Sequence, residues 1–521
     1  MDRARVEQRA FDERRLGAVA AEERPTLEIR PHIAAAAPSV AWDVLALAGL
    51  TLAALGIRLL AMRGLWLDEA IAVHETSLPF DEMLNALRTS DRHPPLYFVA
   101  LWADVRELGT SELAVRLPSL IAGSLVVPAL YAAGRELWGR ATGLVAATLG
   151  TVAPLVVWYA QEARMYAFFM LFSVLCVWAQ AGAIRRETGL AWTAYVVSAA
   201  LLLWTHYFAV LQVAVQLLTF DIVAWRRQRR GEPSGRLLAG SFVSLLLLAC
   251  VAFPMLLLAG DQLAAAGHRG FSLSDPLPAQ VSLAPSQADH LSIYRVVANG
   301  TWAVWGYHTG AVMSKLGALW PFAMLLSLVL VGRRCSQSTG LVLAVALAPP
   351  LLLAALSLAH PELFEVRYFA GAVPLLVLLL ARATTAWSRT WAGTAIAASV
   401  VLLTLVVGLA DQQLSGSNPR RYDFRSPLQA IEREAGRQDI LVYAPPYLRD
   451  VVSYYAPDVR RRALRNGLPP LPRHRRVFLV ASFLDHPSVA RRTGKAVWQL
   501  KHLDHLVGHI ERHKVSTWVF R

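Results

Sequence analysis

The run Leu237-Leu238-Ala239-Gly240-Ser241-Phe242-Val243-Ser244-Leu245-Leu246-Leu247-Leu248-Ala249-Cys250-Val251-Ala252-Phe253-Pro254-Met255-Leu256-Leu257-Leu258-Ala259 holds no charged residue. About 20 mostly apolar residues in a helix cross a hydrocarbon core of about 30 Å. Unpaired backbone groups cannot face lipid, so such a run must be helical. Working outward from 236–259, comparable runs fall at about 40–61, 117–134, 141–159, 165–184, 190–206 and 207–225 on one side, and at 312–331, 338–358, 368–382 and 390–410 on the other. The expectation is a polytopic α-helical membrane protein with about eleven transmembrane helices. Composition agrees: 55% of the 521 residues are apolar and only 17% charged, against roughly 45–50% and about 25% in a soluble domain. Disorder, a collagen-like fibre and a disulfide-stapled secreted scaffold are excluded. The formal net charge of +14 sits mostly at the flanks of apolar runs, so nucleic acid is not a partner. Cys176, Cys250 and Cys335 lie within or beside the runs and offer no disulfide framework.

Basic residues in short loops set the orientation. With eleven spans and a cytosolic start, the cytosolic connections carry Arg135/Arg140, Arg185/Arg186, Arg226/Arg227/Arg229/Arg230, Arg333/Arg334 and Arg382/Arg389. The outer face then receives 62–116, 160–164, 260–311, 359–367 and everything after 411. Residues 1–39 read as a flexible cytosolic tail, and the first span as an uncleaved signal anchor. The piece 94–102 (Pro-Pro-Leu-Tyr-Phe-Val-Ala-Leu-Trp) is too short to cross and reads as a helix lying at, or dipping into, the outer face. Residues 411–521 change character: strands are expected at 439–443, 476–480 and 516–520, with helices near 427–436, 446–455 and 496–511. That alternation predicts a small extracytoplasmic α/β domain.

Ionisable residues at membrane depth are functional candidates. Asp68 and Glu69 follow the first span directly, in the first outer loop 62–116. Two adjacent carboxylates there can supply a general base or hold a divalent cation, or can simply favour a helix N-terminus. The same face carries His93-Pro94-Pro95-Leu96-Tyr97, Arg116-Leu117-Pro118-Ser119, Tyr159-Ala160-Gln161-Glu162-Ala163-Arg164-Met165-Tyr166 and Glu365-Val366-Arg367-Tyr368. Arginines, a histidine and carboxylates gathered on one face suit a phosphate-bearing lipid, since guanidinium forks bind phosphate oxygens bidentately.

In their order and placement these motifs resemble the polyprenyl- or dolichyl-phosphate-mannose-protein mannosyltransferase-like superfamily, membrane glycosyltransferases of the C-type fold whose bacterial relatives include aminoarabinose transferases. The resemblance covers roughly 60–185 and extends more loosely to Arg367-Tyr368 and the C-terminal domain. It implies that 40–410 form a glycosyltransferase domain that transfers a sugar, with inversion, from a polyprenyl-phosphate donor to a hydroxyl of a cell-envelope glycan, lipid or protein. Mannose is the first choice of sugar, with arabinose or another pentose second. By carry-over, Asp68 is the base and Glu69 its neighbour or alternate. Arg116, Arg164 and Arg367 hold the donor phosphate, and His93, Tyr166 and Tyr368 line its pocket. Glu162 orients Arg164 or touches a sugar hydroxyl. Metal use varies in the superfamily, leaving a divalent cation (Mg, Mn or Ca) open. A plasma (inner) membrane location, with membrane lipids around the helices and the site on the extracytoplasmic face, follows from the same reading. The alternative is a transporter or flippase of lipid-linked sugars, which calls for inverted-repeat symmetry that the halves of the chain do not show.

Three other features admit plainer accounts. Trp302, Trp305, Tyr307 and His308 suit a membrane interface, and the Asn299-Gly300-Thr301 sequon reads as accidental. His502, His505, His509 and His513 are spaced to line one face of a helix, solvated rather than zinc-binding. The basic 458–476 stretch (Arg460, Arg461, Arg462, Arg465, Arg473, Arg475, Arg476) suits anionic headgroups or an anionic acceptor glycan, or is a soluble surface.

Overall fold

The computed structural model describes residues 40–89, 93–268, 306, 336–356, 358, 366–387, 390–415, 422–465, 467–471, 475–484, 487–512 and 514–521. The tail 1–39, the run 312–331, the 299–308 features, Glu365, Arg473 and His513 lie outside them. The chain divides into Met1–Ala46 and Leu47–Arg521.

In chain order the helices are α1 (Val40–Leu59), α2 (Leu67–Thr76), α3 (Phe80–Thr89), α4 (Leu96–Leu108), α5 (Leu117–Trp138), α6 (Arg140–Val152), α7 (Pro154–Ala160), α8 (Tyr166–Arg186), α9 (Gly189–Leu203), α10 (Ala209–Arg229), α11 (Gly235–His268), α12 (Gln337–Leu356), α13 (Val373–Trp387) and α14 (Trp391–Leu414). A 3-10 turn, Ala114–Arg116, leads into α5, and another, Val366–Ala372, leads into α13. Among the described residues eight helices are long and apolar enough to cross a bilayer: α1, α5, α8, α10, α11, α12, α13 taken with the 3-10 turn before it (Arg367–Trp387), and α14. The expected span 141–159 is broken instead: α6 and α7 meet at a 58° bend. The cause is local, since Pro154 opens α7 and forces Ala153 into extended backbone (ψ 117°). The expected span 190–206 is the 15-residue α9, which stops at Leu203.

Phe242, Val243, Leu246, Phe253 and Leu257 of α11, with Ile396, Val400 and Leu403 of α14, are exposed. An apolar surface that wide belongs against lipid. The core is α8, buried along most of its length and packed on α5, α9, the second 3-10 turn and α13. Inside the bundle Gln180 and Gln216 exchange hydrogen bonds (2.9 and 3.0 Å) and Ser173 Oγ lies 2.8 Å from Gln212 Oε1, tying α8 to α10. Helices α5 and α6 touch through glycine: a Cβ on Gly143 would stand 2.7 Å from the Tyr131 carbonyl oxygen. Small residues permit such backbone approach.

The C-terminal part holds α15 (Arg425–Glu434), β1 (Ile440–Ala444), α16 (Arg449–Tyr455), β2 (Arg461–Ala463), β3 (Val477–Ser482), α17 (Pro487–Leu503), β4 (Leu506–Arg512) and β5 (Val515–Phe520). The sheet order is β2-β1-β3-β5-β4, parallel among β2, β1 and β3 and antiparallel at β3–β5 and β5–β4. Every residue of β1 and β3 is buried, as an unbroken apolar run predicts. The single helix expected over 496–511 ends at Leu503. His502 therefore lies on α17, His505 in the connection and His509 on β4, stacked on Trp518 at 4.8 Å. No one helix face carries them, because residues 506–512 pair with β5.

Candidate active site

Asp68 and Glu69 fall in the first turn of α2. Consecutive side chains on a helix diverge by about 100°, so the two carboxylates meet different surroundings. Glu69 is fully buried. Its oxygens accept from Arg116 Nε (2.7 Å) and Nη2 (2.8 Å), from the Trp66 amide (2.7 Å) and from the Ala163 amide (2.8 Å). Arg116, also fully buried, donates onward to the carbonyls of Arg63 (2.7 Å) and Gly64 (3.0 Å). Burial alone would raise the Glu69 carboxyl, but the Arg116 guanidinium beside it and the Trp66 amide hold it below its ordinary value. Sequence reasoning grouped Glu69 with the base and Arg116 with the phosphate ligands. In the structure the two bond to each other, with both Glu69 oxygens and all three Arg116 guanidinium nitrogens engaged.

Asp68 differs. Its Oδ2 lies 3.2 Å from Arg367 Nη1, and the pair keeps 20% and 15% of its side-chain surface open. Arg164 donates to the Asp68 carbonyl (3.3 Å) and its Nη2 lies 3.2 Å from His93 Nδ1. The chain thus brings together Asp68, His93, Arg164 and Arg367 across 299 residues. Tyr166 and Tyr368 join them through rings: Arg367 sits 5.3 Å from the Tyr368 centroid, and both tyrosines stand 6.1 Å from His206. Glu162, expected to orient Arg164 or touch a sugar hydroxyl, accepts from Arg63 (2.8 Å) and from Trp158 Nε1 (2.7 Å), with Arg63 stacked 3.7 Å over Trp158.

Residues that sequence reading missed complete the site. His206, in the turn between α9 and α10, lies parallel to Phe169 at 4.7 Å. From the C-terminal domain, Tyr455 Oη accepts from the Leu65 amide (2.6 Å) and donates to Glu112 (2.5 Å), and Arg425 Nε donates to the same carboxylate at 2.8 Å. Tyr422 packs on Trp66 at 4.7 Å. These contacts clamp the peptide just ahead of Asp68; a tyrosine pair at 454–455 beside the basic 458–476 stretch was the available signal. An open cleft of about 890 Å³ runs between α2 and α16 and includes Ala70, Val73, His74 and Ser77. Those positions lie across α2 from Asp68, so the helix itself separates that cleft from the charged cluster. Below the cluster, Phe169, Phe208, Leu211, Val345, Leu353 and Tyr368 line a narrow apolar crevice between helices. The two carboxylates do not converge, each facing its own guanidinium, and among the described residues no group of three or more His, Cys, Asp or Glu side chains is placed to hold a metal ion. The donor set does not fit a divalent cation shared by Asp68 and Glu69.

Residues 92–253 match the family model described as dolichyl-phosphate-mannose-protein mannosyltransferase. Among solved structures the chain is similar to ArnT from Cupriavidus metallidurans bound to undecaprenyl phosphate (TM-score 0.56, 10% identity, covering 92% of this chain and 98% of that one). The apo state of the same ArnT gives a TM-score of 0.55 at 12% identity, with the same coverage. The archaeal oligosaccharyltransferase AglB from Archaeoglobus fulgidus, in complex with an inhibitory peptide and a dolichol-phosphate, gives 0.54 at 12% identity over 92% of this chain and 74% of that one. No curated protein matches the sequence. The resemblance read from the motifs is supported by the family match and by the shared fold, that of C-type membrane glycosyltransferases.

Proposed function

We propose that the protein is a membrane glycosyltransferase that moves a sugar from a polyprenyl-phosphate carrier to an acceptor hydroxyl, with Asp68 as the base and Arg164 and Arg367 as the phosphate-binding pair. The observation that carries this reading is the contrast between the two acid–arginine pairs. Glu69–Arg116 is sealed, at 0% exposure on both sides, whereas Asp68–Arg367 is open and bonded at one oxygen only. An arriving phosphate competes for the Arg367 guanidinium and releases the Asp68 carboxylate. The freed carboxylate takes the proton of the acceptor hydroxyl as that oxygen attacks the anomeric carbon. The bond from that carbon to the phosphate oxygen breaks, and its electron pair leaves with the phosphate. Attack from the face opposite the phosphate inverts the anomeric centre. Negative charge gathers on the leaving phosphate, where guanidinium groups already in place stabilise the transition state by several kcal/mol in a dry site. His93 holds Arg164, and Tyr166 and Tyr368 form the wall.

Glu69, Arg116 and Glu162 act by holding the loops in place and do not touch substrate. The apolar crevice below Tyr368 suits an isoprenoid tail. Mannose remains the first candidate sugar and a pentose the second, with a cell-envelope glycan, lipid or protein as acceptor. The protein is then an inner-membrane enzyme working at the extracytoplasmic face, the side on which the C-terminal domain sits. The test is transfer from a polyprenyl-phosphate sugar by purified protein. Asp68→Asn should fold normally and lose about 10²–10⁴-fold in turnover, the range of positioned acid–base catalysis; turnover near that of the parent removes Asp68 as base.

A further inference from the structure

His206 sits between α9 and α10, at the end of an apolar stretch. It is 3% exposed. Rings pack on it from several elements: Phe169 at 4.7 Å and Tyr166 at 6.1 Å from α8, Phe208 at 5.6 Å from its own turn, His93 at 6.0 Å from the loop before α4, and Tyr368 at 6.1 Å from the second 3-10 turn. Its Nδ1 accepts from the Phe208 amide at 3.2 Å. An acceptor Nδ1 places the ring proton on Nε2, and Nε2 is buried with no hydrogen-bond partner among the described residues. Burial first, and then the guanidinium charges of Arg367 and Arg164 nearby, hold its pKa well below the ordinary histidine value, so the ring is neutral at physiological pH. A buried donor left unmatched costs free energy. This one stands among the residues that carry the phosphate reading: His93, which contacts Arg164 at 3.2 Å, and Tyr368, over which Arg367 lies at 5.3 Å.

We propose that the Nε2–H of His206 donates a hydrogen bond to the phosphate of the lipid-borne donor, between the guanidinium groups of Arg164 and Arg367. The assignment rests on the glycosyltransferase reading above and adds to it a neutral ligand. A neutral donor orients the phosphate without adding a third full charge, so the phosphorylated carrier left after transfer is not over-bound. Its packing on Phe169, Phe208 and Tyr368, which line the apolar crevice, fits a contact at the junction of phosphate and tail.

The experiment is binding to the full-length protein in detergent, with undecaprenyl phosphate and undecaprenol as probes, for the parent, Arg367→Ala, His206→Phe and His206→Gln. A hydrogen bond to a charged group is worth roughly ten- to hundredfold in affinity. The expected result is that His206→Phe weakens undecaprenyl phosphate binding by about that factor and leaves undecaprenol binding unchanged. His206→Gln, which keeps an N–H donor, should recover most of the loss. Two results overturn the inference: undecaprenyl phosphate affinity of His206→Phe equal to the parent's, or equal losses for both lipids, which would make His206 a packing residue. A parent that does not distinguish the two lipids sinks the glycosyltransferase reading first, and this inference with it. If the parent does distinguish them, Arg367→Ala abolishes the preference and His206→Phe keeps it, only the inference falls.

Discussion

Two carboxylates one residue apart do opposite work because one is sealed and the other is open. Removing a single partner from a buried ion pair leaves an uncompensated charge and costs about 3–5 kcal/mol. Glu69→Gln, which strands the fully buried Arg116, should therefore lower the unfolding temperature in detergent sharply, while Asp68→Asn should not. A Glu69→Gln protein as stable as its parent would show that the pair does not hold the loop. The same pair sets an acid limit. The Glu69 carboxyl is held low in the folded protein, so its stabilisation is complete above the unfolded value of about 4.3 and is lost as pH falls through the folded value. Thermal unfolding followed from pH 6 downward should show this acid slope in the parent and not in Glu69→Gln. Asp68, His93, Arg164 and Arg367, which the structure brings together, could be picked out as candidates because each is a charged or polar group beside an apolar run. Their pairing was not readable: Glu162 chose Arg63 across 99 residues and Glu69 chose Arg116 across 47, and no local pattern encodes such distances. His206 was missed because a lone histidine between two apolar helices carries no periodic signal.

At the scale of elements, the helices were legible wherever one physical rule decides, since a long apolar run in lipid has no alternative to the α-helix. All ten expected spans that fall on described residues lie on helices. The errors come where a second rule intrudes. Pro154 splits the third span because it restricts Ala153. Strand β4 replaces the last part of the helix expected over 496–511, because residues 506–512 pair with β5. The α5–α6 crossing rests on glycine, which no apolar pattern reports. A side chain at Gly143 meets backbone atoms, the Tyr131 oxygen at 2.7 Å and the Arg135 nitrogen at 3.1 Å, and backbone cannot rotate away as a rotamer can. Gly143→Val should therefore cost about 1–3 kcal/mol through overpacking, read as a lower unfolding temperature. Gly189→Ala, where a Cβ meets nothing within 4 Å, is the matched control and should be neutral. Equal behaviour of the two variants would mean that the helices are not in backbone contact there.

For the whole molecule, the decisive property is that α5 and α8 both start at the end that carries the two acid–arginine pairs and both carry arginines in their last turns. Arg116 precedes α5 and Arg135 closes it; Tyr166 opens α8 and Arg185/Arg186 close it. A helix of about 20 residues is about 30 Å long, one hydrocarbon thickness, so the cluster and these arginines belong to opposite faces. Positively charged loops stay in the cytosol, so the proposed orientation puts the Asp68 cluster on the other side. The C-terminal domain goes with it, because Tyr455 is bonded to Leu65 and Glu112 and cannot be across a bilayer from them. Single cysteines placed at Asp450 and at Arg230, after replacement of Cys176, Cys250 and Cys335, should therefore label differently in intact cells. A membrane-impermeant maleimide should reach position 450 at once and position 230 only after permeabilisation. Labelling of both positions from the same side would break the link between the two ends of the bundle. Reversed labelling would keep the fold but place the sugar transfer in the cytosol, where the donor would have to be used on the face opposite the one argued here.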